Sequence, residues 1–259
     1  MLKKAISSIW VIMVIVTLSI GGSLNKSTIG LGVTSSNQEE SRIQINEPSV
    51  LMAPDEALKL LKDGNEGFQK DQLMEVDLGS KKREKLINGQ SPFAVIVTCS
   101  DSRVPPELIF NQGLGDLFVV RMAGNVIDKI QLGSVEYAVK HLKSPLIVVI
   151  GHENCGAVVA AVEGSGKKQH GNIGAIIDKI EPSVKKVKSK DLHGKELVES
   201  VTNENINNSS RKIKEGSKVI KEELEKGKIK IVEAKYMLKS GQVQWLNYNS
   251  INLYFMRNL

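Results

Sequence analysis

Hydrophobic residues along this chain follow two rhythms. The first is a continuous run: "PFAVIVT" (92–98), "LFVVRM" (117–122) and "PLIVVIG" (145–151) are β-branched and bounded by Pro or Gly. Runs of that length fit strands buried on both faces, as in a parallel sheet. The second rhythm is helical. Between the last two runs, "LGSVEYAVKHL" (132–142) is apolar at Leu132, Val135, Ala138, Val139 and Leu142, so the unit reads strand, helix, strand. "PDEALKLLKDGNEGFQK" (54–70) is apolar at Ala57, Leu60, Leu61 and Phe68, which predicts a helix interrupted near Gly64 with Asp55 placed to cap it. "GNIGAIIDKIEPSVKKV" (171–187) and "NENINNSSRKIKEGSKVIKEELEKG" (203–227) predict two further helices. "KIKIVEAKYML" (228–238) alternates like a last strand, followed by a turn at "KSGQ". The expected class is α/β: a mostly parallel central sheet of about four parallel strands plus a closing strand, flanked by helices. There is no internal repeat, and the aromatic-containing tail from Trp245 onward has no pattern that places it.

The N-terminus differs in kind. "MLKK" followed by "AISSIWVIMVIVTLSIGGS" has the order of a secretory signal peptide: positive residues, an apolar stretch, then small residues. The stretch also sits near the lower length limit for a membrane span, which leaves an uncleaved anchor as the alternative. No Cys follows it, so a lipoprotein anchor is excluded. Residues 24–50 are polar and without period, as in a linker. The expected organisation is therefore 1–23 signal peptide or anchor, 24–50 linker, 51–246 folded domain and 247–259 tail. Such a protein is exported to the periplasm or exterior, touching a membrane only through an uncleaved N-terminus. A net charge of +6 does not imply nucleic acid. The densest basic stretch, "PSVKKVKSK" (182–190), lacks interleaved aromatics and reads as a solvated helix face.

Export sharpens the meaning of the two cysteines, Cys99 and Cys155, because an exported pair can oxidise to a disulfide. Each, however, sits among groups that a bridge does not need. "FAVIVTCSDSRVPPELIF" (93–110) runs from a strand into Cys99, Asp101 and Arg103, and "PLIVVIGHENCGAVVAA" (145–161) runs from another into His152 and Cys155. In open α/β sheets the functional crevice lies at the carboxyl ends of the strands, so these groups converge there. Two thiolates and one imidazole suit tetrahedral zinc with one position left open, and no further Cys or His accompanies them to close the site. The fourth position falls to water or to Asp101. Asp101 can orient a zinc-bound oxygen, and Arg103 can clamp Asp101 in a bidentate, charge-assisted pair. Alternatively, Asp101 and Arg103 merely cap the following helix.

"CSDSR" followed some fifty residues later by "GHENCGA" resembles the β-class carbonic anhydrases. "ALKLLKDGNEGF", "NGQSPFAVIVTCSDSRVPPELIF", "GLGDLFVVRMAGN", "LGSVEYAVKHL" and "VVIGHENCGAV" follow that family's pattern in order, and the likeness runs from about residue 54 to 246. The resemblance implies one zinc ion per chain on Cys99, His152 and Cys155, with Asp101 joining the metal only in a closed state. It implies reversible hydration of CO2 to bicarbonate by zinc-bound hydroxide, oriented by an Asp101–Arg103 dyad. It also implies a homodimer or higher even oligomer, with the 54–70 helix as an arm on the partner copy. Gln90 matches a glutamine that reaches the metal across the dimer interface. Phe118, Ala123 and Tyr137 match pocket walls, and Gly156 matches a backbone N–H at the substrate. Met122 departs from the Asn or Thr common at its place. The regulated subgroup carries Trp and Gly where this chain has Ile96 and Thr98, so the expected state at neutral pH is open, with Asp101 on Arg103. No residue is assigned as proton shuttle; His141 is the nearest histidine in sequence to the motifs, on a helix where a surface position is the simpler reading. Two alternatives remain at this point: a family relative acting on CS2 or COS, and a non-catalytic exported module held by zinc or a disulfide.

Overall fold

The computed structural model describes residues 52–72, 76, 78–166, 171–188 and 191–246. The expected signal peptide or anchor, the linker and the tail from 247 lie outside the described residues. Five strands form one sheet: β1 (Ala94–Thr98), β2 (Leu117–Arg121), β3 (Leu146–His152), β4 (Lys230–Tyr236) and β5 (Val243–Leu246). Their order across the sheet is β2-β1-β3-β4-β5. The first four run parallel, as the sequence pattern predicts, and β5, which follows the expected turn and reaches into the stretch that the pattern left unplaced, pairs antiparallel with β4.

Burial explains why the central runs are continuous. Every residue of β1 and β3 is buried, whereas β2, at one edge, is mostly half-buried. One face of the sheet (Ala94, Ile96, Leu146, Val148, Ile150) packs on helix α1 (Pro54–Gln69) and on the short α3 (Pro106–Ile109), preceded in the chain by α2 (Ser80–Leu86). The other face (Val95, Val97, Ile147, Val149) meets α4 (Lys129–Lys140), α7 (Gly194–Gly216) and α8 (Lys218–Glu225). Between β3 and α7 lie α5 (Gly156–Glu163) and α6 (Gly171–Lys188), which form a third apolar cluster around Cys99 and Cys155.

Three local expectations need correction. Helix α1 is unbroken through Gly64, because there the missing side chain admits a neighbour: a Cβ would lie 1.9 Å from the Phe110 carbonyl oxygen. Asp55 does not cap α1; Ala53 occupies the N-cap without a side-chain bond, Pro54 starts the helix, and Asp55 pairs with Lys230 at 2.5 Å. The 203–227 segment is two helices, since Ser217 leaves the helical conformation and its hydroxyl caps α8 at the Ile220 N–H. The apolar stripe of α1 (Ala57, Leu58, Leu61) is also covered by the chain's own sheet, so only its outer face remains for a partner. Among the described residues, no helix is long and apolar enough to cross a membrane.

The chain leaves β1 for β2 on one side and returns past β1 to β3 on the other. That reversal is the topological switch point of an open sheet, and it opens a crevice at the carboxyl ends of β1 and β3. Cys99 follows β1 and His152 closes β3 at this place.

Candidate metal centre

Cys99, His152 and Cys155 bring one ligand atom each to a single buried point, all within 4.8 Å of one another. His152 is placed by the last ladder position of β3, opposite Tyr236 of β4. A left-handed residue, Asn154 (φ 49°), then turns the chain so that Cys155 becomes the N-cap of α5. The two sulfurs stand 4.0 Å apart and both cysteines are free thiols. A disulfide places its sulfurs about 2.05 Å apart, so the bridge is not formed. Two Zn–S bonds of about 2.3 Å at the tetrahedral angle span about 3.8 Å, close to the observed separation. The imidazole is equally well prepared. His152 Nδ1 lies 2.8 Å from the Glu153 carbonyl and donates to it, leaving Nε2 as the lone-pair nitrogen. That Nε2 is fully buried and has no hydrogen-bond partner. An orphaned buried acceptor beside two thiols is the arrangement a soft-ligand divalent cation satisfies.

The electrostatics agree. The hydrogen bond from Cys155 leads in lowering the Cys99 thiol to about 4; burial opposes it, while the backbone of Asp101 and Gly124 reinforces it. Cys155 is pushed up, foremost by the same bond and then by burial. A dication bound by both sulfurs would displace any thiol proton that remains on them.

Asp101 stands beside this set, its Oδ2 3.7 Å from His152 Nε2. Arg103 grips it bidentately, Nε to Oδ1 at 2.9 Å and Nη2 to Oδ2 at 2.7 Å, and the Arg103 N–H adds a third bond at 3.0 Å. The Arg103 side-chain bonds, ahead of every other influence, hold the Asp101 carboxyl well below the usual carboxylate range. Neither residue caps α3, whose N-cap is Pro105.

This geometry has named counterparts. Residues 94–243 match the family model described as carbonic anhydrase. The chain belongs to the β-class carbonic anhydrase family. It is 40% identical over 193 residues to the carbonic anhydrase of Mycolicibacterium smegmatis, covering 74% of this chain and 92% of that one. Among solved structures, the β-carbonic anhydrase CcaA superposes with a TM-score of 0.60 at 27% identity, covering 73% of this chain and 86% of that chain. One of two tetrameric β-carbonic anhydrases from Sordaria macrospora gives 0.59 at 26% identity, covering 64% and 85%. A β-carbonic anhydrase is a zinc enzyme, and the Cys99–His152–Cys155 group here is able to hold that ion.

The remaining expected carbonic anhydrase residues divide by position. Ala123 opens a short 3-10 turn, Ala123–Asn125, that follows β2 beside Cys99, and Gly156 is the exposed first residue of α5, next to Cys155. Gln90, Phe118 and Tyr137 are elsewhere. Phe118 pairs with Val95, three residues before Thr98, or about 10 Å along the strand. Its ring lies 6.3 Å from Tyr137. Gln90 is exposed ahead of β1, at the opposite end of that strand from Cys99. His141 ends α4 near the start of β3 and stacks on Tyr137 at 5.2 Å, so it is also at the sheet's far end. Met122 continues the ladder from β2, its N–H on the Thr98 carbonyl.

Sequence reasoning missed Arg121. Its guanidinium ties down the loop after β1, with Nε donating to the Cys99 carbonyl at 3.1 Å and Nη2 to the Asp101 carbonyl at 2.5 Å. The available signal was a lone Arg closing an apolar strand. Glu153 was missed as well: its carbonyl fixes the His152 tautomer, and its carboxylate accepts from the Leu238 N–H at 2.8 Å.

Proposed function

We propose that Cys99, His152 and Cys155 hold the zinc of this carbonic anhydrase and that Asp101, set by Arg103, directs the reaction at the open position. The reaction is the reversible hydration of CO2 to bicarbonate and a proton. When bound, zinc supplies Lewis acidity, bringing the pKa of water at its open position from 15.7 toward about 7. Asp101 is too weak a base to take a proton at neutral pH, yet as an ionised acceptor it fixes the direction of a hydrogen bond. Arg103 keeps it ionised and in place. Ala123 and the start of α5 supply an uncharged wall suited to a neutral, linear substrate, and the Gly156 N–H at the first turn of α5 faces no intrahelical acceptor. The observation that carries this reading is the orphaned His152 Nε2, converging with two thiols and 3.7 Å from a clamped carboxylate. Stopped-flow CO2 hydration by wild type and Cys155→Ser, with zinc content measured in both, tests it. Joint loss of metal and rate is expected; a metal-free variant of equal rate overturns the reading.

The active unit is an even oligomer built on a homodimer. Helix α4 presents Ile130 (81% exposed) and Tyr137 (49% exposed) on one face, with Gly133 between them meeting nothing. An apolar helix face of this kind calls for cover. A second copy lying there would also bring Gln90, Phe118 and Tyr137 to the neighbouring site, which their own chain does not. Light scattering of the active enzyme tests this; an active monomer refutes it. The apolar run behind Met1–Lys4 supports export, tested by fractionation and N-terminal sequencing of the mature chain.

A further inference from the structure

The turn at Ala123–Asn125 has an unusual conformation and an unusual position. Gly124 (φ 67°, ψ 22°) and Asn125 (φ 44°) are both left-handed, a conformation that Gly and Asn adopt more readily than other residues. The Gly124 N–H donates to Cys99 Sγ at 3.3 Å. A Cβ at Gly124 would lie 2.8 Å from Ile180 Cδ1 and 3.1 Å from the Ala157 Cβ, so the turn is seated tightly against α6 and α5.

Two side chains of α7 hold the turn. Asn205 Nδ2 donates to the Gly124 carbonyl at 2.7 Å, and Ser209 Oγ donates to the Asn125 carbonyl at 2.9 Å. The two residues are four apart, hence on one helix face, and both are 1% exposed. Asn205 Oδ1, also buried, has no partner among the described residues. Burying a half-satisfied amide is costly, so the side chain is retained for its donor. An apolar residue would pack on α7 without that cost, but it would leave the Gly124 carbonyl unpaired.

We infer that Asn205 and Ser209 are positioning residues for the metal centre, which hold the Gly124 amide on Cys99 and so preset that ligand for zinc. They touch neither metal nor substrate, and they act from more than eighty positions away in the chain. The inference rests on the zinc centre proposed above.

The test measures zinc affinity by chelator competition and the thiolate-to-Co(II) charge-transfer band of the cobalt-substituted full-length protein. Asn205→Leu and Ser209→Ala should each weaken zinc binding by about 10- to 100-fold, the range for outer-shell partners of metal ligands, and shift the band. Ser209→Thr, which keeps a hydroxyl, should restore both. Thr202→Val is the structural control: Thr202 is equally buried on α7, but its hydroxyl donates to the Val198 carbonyl of its own helix at 2.9 Å. It should alter stability and leave affinity and band unchanged. Wild-type affinity and band in Ser209→Ala would overturn the inference, as would an equal loss in Thr202→Val; if Asn205→Leu does not fold, Ser209→Ala decides. Wild-type protein that binds neither zinc nor cobalt would instead remove the metal centre itself.

Discussion

Cys99 and Cys155 stand 4.0 Å apart, yet the molecule holds them by different means. Cys155 is set locally: the turn through Asn154 and the start of α5 place it within three residues of His152. Cys99 is set remotely. Its loop is fastened by Arg121 on β2, its sulfur takes the Gly124 amide, and that turn is tied to α7. The difference teaches that a metal site at a switch point needs only one self-sufficient half. The other half can be assembled from whatever the second strand's neighbours supply, provided the fold brings them there.

The harshest way to test the comparison is to delete each sulfur. Cys99→Ser and Cys155→Ser should both lose zinc and lower kcat/KM by more than the roughly 100-fold typical of an outer-shell loss, so ligand chemistry outweighs how each ligand is held. Metal analysis alongside CO2 hydration checks this. Arg103→Lys is the next step down. It removes one of the two charge-assisted bonds to Asp101 and should lower kcat/KM by less than either sulfur deletion, with zinc content unchanged.

A pair of glycine substitutions then separates the two halves. Gly124→Ala requires a left-handed alanine and a Cβ 2.8 Å from Ile180, which should cost about 2–4 kcal/mol in urea unfolding and weaken the Cys99 side. Gly156→Ala meets nothing within 4 Å at the first position of α5 and should change stability by less than about 1 kcal/mol. Equal effects would mean the two halves are held alike.

The smallest effect is on pH dependence. The Asp101 carboxyl is held below its ordinary 3.8 by Arg103, so the stability it contributes is present above that value and is lost as pH falls through the lowered one. The unfolding free-energy difference between wild type and Asp101→Asn should stay flat from neutral pH to about 4 and shrink only below it. A change between pH 6 and 8 would contradict the clamped pair.

Much of this site was readable before the fold, because its ligands lie where buried strands end and local patterns mark such ends. The continuous runs at 92–98 and 145–151 announced two buried strands, and Cys99 and His152 fall at the carboxyl ends of the strands they became. The spacing of Asp101 and Arg103 announced their pairing, since residues two apart in a loop need no distant help to meet. Gly64 shows the limit. A glycine inside a helical pattern reads as an interruption, and only the approach of the Phe110 carbonyl reveals that it admits a neighbour.

The sequence by itself therefore determined the layered α/β class, the Cys99–His152–Cys155 group that is able to hold a metal ion and the carboxylate–guanidinium pair beside it. Each of those depends on short-range periodicity or on chemistry concentrated within a few residues. Only the tertiary structure decided the parts that hold the Cys99 half in place: Arg121 on the Cys99 and Asp101 carbonyls, the left-handed turn at Gly124, and Asn205 and Ser209 beneath it. Their partners are twenty to more than eighty positions distant. A hydrogen bond of that span leaves no periodic trace in the chain, because neither end needs a special neighbour until folding makes them neighbours.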